Sequence, residues 1–309
     1  MRVIFMGTPD FAVGTLEEVI KAGHEVVLAV TQPDKPKGRG NAMQFPPVKE
    51  AALAHGVAVY QPSRVREAEC VAYLNGYQPD IIVVAAFGQI LTKEILEMPK
   101  YGCINVHASL LPKYRGAAPI QWAVINGEKT AGVTIMRMDE GIDTGDMIEK
   151  TELALAQEET GGSLFDRLAK AGAELCVSTM QKIEQGTATY TRQNEAEATH
   201  TGMIKKQMGK IDWTKSAAEL ERLIRGLNPW PSAYTYLNGK TLKIWKAKVR
   251  PETKCAIPGQ LVGTSKDELL IQTGDGILAL KEVQLEGKKR MDAGAFLRGC
   301  PLPEDTVLG

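Results

Sequence analysis

Residues 80–107 read DIIVVAAFGQILTKEILEMPKYGCINVH, and this stretch decides the fold. Asp80–Ala86 is apolar on both alternating sets of positions, as expected of a strand covered on both faces. Tyr101–His107 is a second strand, and it ends on polar residues. Upstream lie a strand at Val3–Met6, a helix carrying Phe11, Leu16, Val19 and Ile20 that ends near Gly23, and a strand at Glu25–Thr31. Thr8 reads as the N-cap of that first helix, with Pro9 at its first position. Helices are expected at Pro46–Ala54, Val65–Asn75 and Ala117–Asn126. A strand at Gly132–Met138 closes the series, and a long helix follows at 162–185. Strands alternating with helices imply crossover units, hence an α/β fold with a doubly wound, mostly parallel sheet of Rossmann-like type.

The pattern then changes. Residues 187–209 are polar, carry five threonines and show no sustained period. They read as a linker whose flexible span would be roughly 25 Å. After a helix at Ser216–Gly226, short β-like runs follow at Ala233–Leu237, Leu242–Val249, Gly259–Thr264, Leu269–Thr273 and Ile277–Leu285. Glycine-containing turns separate them. Five short strands in so few residues suggest a C-terminal five-stranded OB-like β-barrel. The expected division is 1–188, a linker at 189–208, and 209–309.

The chain has 309 residues, with 37 Lys+Arg balanced by 37 Asp+Glu. This excludes a generic polycation and an acidic disordered protein. The balance is uneven along the chain. Residues 200–309 hold 18 basic against 12 acidic side chains, and residues 1–199 hold 19 against 25. An anionic partner for the C-terminal half and chance variation on a solvated surface are the two open readings of this asymmetry. The five scattered cysteines form no CxxC pair, which fits reduced thiols in a cytoplasmic protein and no metal site. The longest apolar run, Ile81 to Phe87, falls far short of the roughly 20 residues of a membrane span. The N-terminal apolar run is too short for a signal peptide.

Several stretches can carry chemistry. Gly7-Thr8-Pro9-Asp10 stands where a doubly wound fold places its first ligand loop, but it lacks the dinucleotide fingerprint. A plain turn and a ligand-contacting loop are both open readings. The long connection 31–47 carries Lys35, Lys37 and Arg39, which could neutralise phosphates. Asn105 and His107 lie two residues apart at a strand's carboxyl end, so they share a face. There an amide can donate to a developing oxyanion and an imidazole can move protons near neutral pH. Ser109, Leu110, Leu111 and Pro112 follow as a candidate apolar binding wall. Four acids fall in residues 139–146, and any one of them could orient His107; spacing does not choose which. Lys246, Lys248 and Arg250 alternate along one strand, with Trp245 and Val249 opposite. Trp213, Trp230 and Tyr234 lie nearby in sequence, as on a nucleic-acid surface.

Taken together, these residues resemble the methionyl-tRNA formyltransferases of the folate-dependent formyltransferase family. The resemblance rests on GTPDFA at 7–12, QPDKPKGRG at 32–40, AAFGQIL at 85–91 and INVHASLLPKYRGAAPIQWAVINGE at 104–128. TIMRMDEGIDTGDMI at 134–148, NPWPSAY at 228–234 and the basic terminal region complete it. It implies formyl transfer from 10-formyltetrahydrofolate to the α-amino group of initiator methionyl-tRNA, in translation initiation. It further implies Asn105, His107 and Asp143 as the catalytic group. Phe87, Gly88, Gln89 and Ile90, with Ser109, Leu110, Leu111 and Pro112, would border the folate. Lys35, Lys37 and Arg39 would meet the tRNA acceptor end, with Lys246, Lys248 and Arg250 on a barrel gripping its body. The neutral Asn41-Ala42-Met43-Gln44 departs from relatives that have further lysines there. A monomer suffices for one tRNA per chain. Transfer to a small-molecule amine, hydrolysis of the folate, and non-catalytic tRNA binding are the alternatives to be tested.

Overall fold

The computed structural model describes residues 1–309 except 38–41, 253 and 304–305. Two compact units emerge. The first takes Met1–Pro119, Thr130–Ala154 and Phe165–Thr201; the second takes Ile120–Lys129, Leu155–Leu164 and Gly202–Gly309.

Strands of the first unit are β1 (Arg2–Gly7), β2 (Glu25–Val30), β3 (Lys35–Lys37), β4 (Ala42–Gln44), β5 (Val59–Tyr60), β6 (Ile81–Ala85) and β7 (Cys103–His107). They continue with β8 (Arg115–Gly116), β9 (Thr130–Arg137), β10 (Met147–Ala154) and β11 (His200–Thr201). Its helices are α1 (Asp10–Lys21), α2 (Pro47–Ala54), α3 (Ala68–Asn75) and α4 (Lys93–Glu97). A further helix, α5 (Pro119–Ile125), and the first residues of α6 (Gly161–Glu184) belong mostly to the second unit.

The main sheet has the order β10-β9-β7-β6-β1-β2-β5. Its β1, β2, β5, β6 and β7 are parallel neighbours, as the alternation of strands and helices implies. Val3, Ile4, Phe5 and Met6 expose no surface, and neither do Ile81, Ile82 and Val83. Burial of each such side chain is worth about 1.5–3 kcal/mol, so the central strands anchor the unit. Gly7 permits their close approach: a Cβ there would stand 2.7 Å from Ala12 Cβ and 2.9 Å from the Ala85 carbonyl oxygen.

Three expectations fail here. Strand β9 does not close the series as another parallel strand. It pairs antiparallel with β7, and β10 adds an antiparallel edge beyond it. Thr8 does not cap α1; Pro9 holds that position, without a side-chain cap. The Thr8 hydroxyl is drawn away instead, accepting from the Gln32 amide at 3.2 Å and donating to the Phe87 carbonyl at 3.4 Å. Nor is the start of the expected linker a free tether. Thr191 pairs with Met147, and β11 pairs in parallel with β8.

In the second unit, α7 (Ala217–Gly226) is N-capped by Ser216, whose hydroxyl accepts from the Glu219 amide. The strands are β12 (Ala233–Leu237), β13 (Lys240–Arg250), β14 (Leu261–Ser265), β15 (Glu268–Gln272), β16 (Ile277–Leu285) and β17 (Met291–Asp292). A last helix, α8 (Ala293–Gly299), follows. The strand order is β12-β13-β16-β15-β14, antiparallel throughout, with β17 beside β16. Among the described residues the pairing runs from one edge to the other without closing into a ring. Leu220, Ile224, Leu242, Leu269, Leu278 and Phe296 sit in one core with Trp213. No helix among the described residues is long and apolar enough to cross a membrane.

Candidate active site

Strand order reverses beside β1, and ligand crevices in open α/β sheets lie at the carboxyl ends of the strands near such points. Strand β7 is the next but one, and its last residues present Asn105 and His107 at that edge. The His107 Nε2 lies 2.9 Å from the Tyr114 carbonyl oxygen. A carbonyl only accepts, so Nε2 carries a hydrogen. The other ring nitrogen, Nδ1, faces the Asp143 carboxylate at 3.6 Å. Asn105 Nδ2 donates to the other oxygen of that carboxylate at 3.4 Å, while the Gly116 amide donates at 2.8 Å to the oxygen that faces His107. Of the acids in the 139–146 turn, Asp143 is therefore the one that meets His107. The His107 and Asp143 side chains are only 7% and 15% exposed, so their interaction is weakly screened.

The turn that aims Asp143 is tightly constrained. Asp143 has φ +54°, a conformation that aspartate tolerates better than most residues. The Asp139 carboxylate accepts from the Gly141 amide and the Thr144 hydroxyl. A Cβ on Gly145 would stand 1.8 Å from the Arg137 carbonyl oxygen, so only glycine fits.

Residues missed by sequence reasoning complete the surroundings. The buried Gln193 donates from Nε2 to the carbonyls of Asp143 and Gly145, each at 2.8 Å. Its Oε1 accepts from Arg115 Nε at 3.0 Å. Buried Arg115 also forks onto Glu195 at 2.9 and 2.7 Å, and this pairing holds the Glu195 carboxyl below its ordinary range. Only Arg115, inside the quoted KYRG run, carried any sequence signal; Gln193 and Glu195 lie in a polar stretch without periodicity.

The expected binding wall is more anchored than open. Ser109 is buried, and its hydroxyl donates to the Lys113 carbonyl at 2.7 Å. Thr134 accepts from the Leu111 amide and donates to the Ser109 carbonyl. The Lys150 ammonium donates to the Leu111 carbonyl, and its burial lowers its pKa. The Leu111 side chain packs with Met136 and Met147 in the core, and Pro112 is buried, so Leu110 is the half-buried member. Phe87 likewise points into the core, 2% exposed. Gln89 is turned to the preceding loop, accepting from the Val65 amide and donating to the Pro62 carbonyl. Gly88 and Ile90 are exposed.

The cations lie elsewhere. Lys35 and Lys37 are on the β3–β4 hairpin, and Lys35 is exposed. Arg39 falls outside the described residues. Lys246 and Lys248 both face Glu158, at 2.9 and 3.9 Å. Arg250 pairs with Glu268 at 2.9 Å, and Lys281 reaches the same carboxylate at 2.5 Å. Lys281 foremost and Arg250 with it hold the Glu268 carboxyl below its usual range. The register shifts on either side of Lys246, and past Ala247 the strand is exposed on both faces: Lys248, Val249 (42%) and Arg250 all reach the surface. Trp213 is a core residue, donating to the Thr235 hydroxyl at 3.2 Å, and not a surface aromatic. Trp245 instead offers its ring to Lys243 and Arg290.

Comparison with known proteins bears on this arrangement. The family model described as formyl transferase matches residues 1–180, and the model for the formyl transferase C-terminal domain matches 203–301. A methionyl-tRNA formyltransferase of Agathobacter rectalis is 67% identical, with 99% of each chain covered. One from Lachnospira eligens is 57% identical over the whole of both chains. Among solved structures, the sugar 3N-formyl transferase WlaRD, determined in the presence of dTDP and 5-N-formyl-THF, matches with a TM-score of 0.67 and 21% identity. That match covers 94% of this chain and 99% of the other, and it bears on the fold alone.

Proposed function

The chain belongs to the formyl transferase family, and on that premise we propose that it transfers a formyl group from 10-formyltetrahydrofolate to the α-amino group of initiator methionyl-tRNA. The observation that carries this reading is the Asp143 carboxylate brought against Asn105 and His107 at the end of β7.

The donor set suits acyl transfer. Formyltetrahydrofolate supplies an activated formyl carbon when bound. Gly88, Ile90 and Leu110 offer exposed or half-buried surface to border it. Phe87, Ser109, Leu111 and Pro112 fix those segments from beneath, and Gln89 ties one of them to the 62–65 loop. As an amine attacks a carbonyl, negative charge grows on the oxygen. On this reading the Asn105 amide donates to such an oxygen, an effect worth about 10²–10³ in rate per donor. His107 keeps its Nε2 hydrogen on the Tyr114 carbonyl and exchanges a proton at Nδ1. The Asp143 carboxylate, held by the Gly116 amide, stabilises the ring whenever both its nitrogens are protonated.

On this reading the first unit, through Thr201, carries the chemistry and 209–309, as an OB-like barrel, grip the tRNA body. Lys35, Lys37 and Arg39 approach the acceptor end, and Lys246, Lys248 and Arg250 approach the backbone. The enzyme works as a monomer in the cytoplasm. The test is incubation with initiator methionyl-tRNA and 10-formyltetrahydrofolate. Formylmethionyl-tRNA is the expected product. Transfer only to a small amine, or release of free formate alone, would overturn the assignment.

A further inference from the structure

The polar stretch 191–201 belongs to the first unit and touches the site from two sides. On one side, Thr191 exchanges both backbone hydrogen bonds with Met147, at 2.9 and 2.8 Å. On the other, His200 and Thr201 pair with Arg115 and Gly116, the residue whose amide holds the Asp143 carboxylate. Between them sits Gln193, 4% exposed.

The orientation of its amide is fixed by its partners. Both hydrogens of Nε2 go to carbonyl oxygens, those of Asp143 and Gly145, and Oε1 accepts from a guanidinium. Reversal would set an oxygen against two oxygens and an NH₂ group against a cation. The two clamped carbonyls flank Thr144, so Gln193 closes the turn in which Asp143 takes its positive φ. Arg115 is pinned in place by its fork onto Glu195. A continuous series therefore runs from the exposed Glu195 through Arg115 and Gln193 to the backbone that aims the carboxylate at His107.

We propose that Gln193, set by Arg115, is a positioning residue for the Asp143–His107 pair, which makes 191–201 part of the catalytic apparatus. It touches no substrate and acts through the direction of the Asp143 carboxylate. This inference rests on the formyl-transfer reading above.

The test is Gln193→Glu, which keeps the shape and the Arg115 partner but removes both hydrogens facing the carbonyls. Turnover with methionyl-tRNA should fall about 10–100-fold, since a misplacement of about 1 Å can cost as much. KM for both substrates should stay unchanged, and the pH–rate profile should move toward that of Asp143→Asn. A second readout needs no substrate: the ring-nitrogen NMR signals of His107 should shift in Gln193→Glu as they do in Asp143→Asn. If the folded variant keeps wild-type turnover and wild-type His107 signals, the proposal is overturned. If the signals shift while the wild-type protein does not formylate methionyl-tRNA, the positioning role stands and the functional reading falls. Should Gln193→Glu not fold, Glu195→Gln at the exposed end should give a smaller loss of kcat with KM unchanged. An unchanged kcat there would likewise overturn the proposal.

Discussion

The cluster around Asp143 and the cations on β13 are both charged, and they are built in opposite ways. Around Asp143 the groups are buried and held by several directional hydrogen bonds to backbone. On β13, Lys246 and Lys248 are about half-exposed and share one exposed carboxylate, Glu158. A buried, over-determined pair responds to geometry, because no water replaces a lost partner. An exposed pair is screened and worth little by itself, so its cations are easily given up to another anion. The first arrangement suits chemistry, and the second suits a polyanion that must come and go.

The largest expected contrast is in thiol reactivity. Burial pushes Cys103, in β7, and Cys176, in α6, up to about 12. They should carry about a thousandth of the thiolate of an ordinary thiol, and reaction with a disulfide reagent should await unfolding. Cys255, exposed in the second unit, should react at once. Rapid labelling of Cys103 in the folded protein would show that the site region opens far more than its packing indicates.

Next comes the site itself. Asn105→Ala, His107→Ala and Asp143→Ala should each reduce kcat by at least about 100-fold. Binding of methionyl-tRNA, measured by filter retention, should stay unchanged. A matching loss of binding would erase the distinction between the two regions.

Smaller effects belong to β13. Lys246→Ala or Lys248→Ala should raise KM for the tRNA several-fold, leave kcat alone, and flatten the salt dependence by about one unit of slope. Glu158→Gln, which frees both lysines, should lower KM. If it raises KM, the carboxylate orders the lysines for binding and does not compete with the phosphates.

The smallest effect is on stability. Lys281 and Arg250 lower the Glu268 carboxyl in the folded state, so its ionised form stabilises the fold. That contribution is present above the carboxyl's unfolded pKa and is lost as pH falls through the folded one. Glu268→Gln should therefore lower Tm slightly at neutral pH, and the difference should vanish in acid. A Tm gap that persists at low pH would mean the loss comes from packing.

The parallel core was legible because its signal is local. Uninterrupted apolar runs such as Ile81–Ala85 have one reading when their neighbours are helical. Strand β10 was missed because it is an edge strand whose charged residues alternate with half-buried ones, so it reads as polar. Helix α8 is short, and its start is set by one carboxylate, Asp292, accepting from the Ala295 amide. Trp213 was misplaced because charges adjacent in sequence say nothing about which way a ring turns. Asn105 and His107 were legible from period two at a strand end. That Asp143 is the acid that meets them was not legible from spacing, because its position is fixed by residues 27 to 50 places away along the chain.

The strip at 191–201 has a practical consequence for anyone who cuts or splices this chain. A fragment ending at residue 188 would keep Asn105, His107 and Asp143 while losing Gln193, Glu195 and the strand that backs Arg115 and Gly116. Chimaeras that exchange N-terminal halves between relatives should be joined after Thr201. A seam placed earlier would pair one parent's Asp143 turn with another parent's clasp.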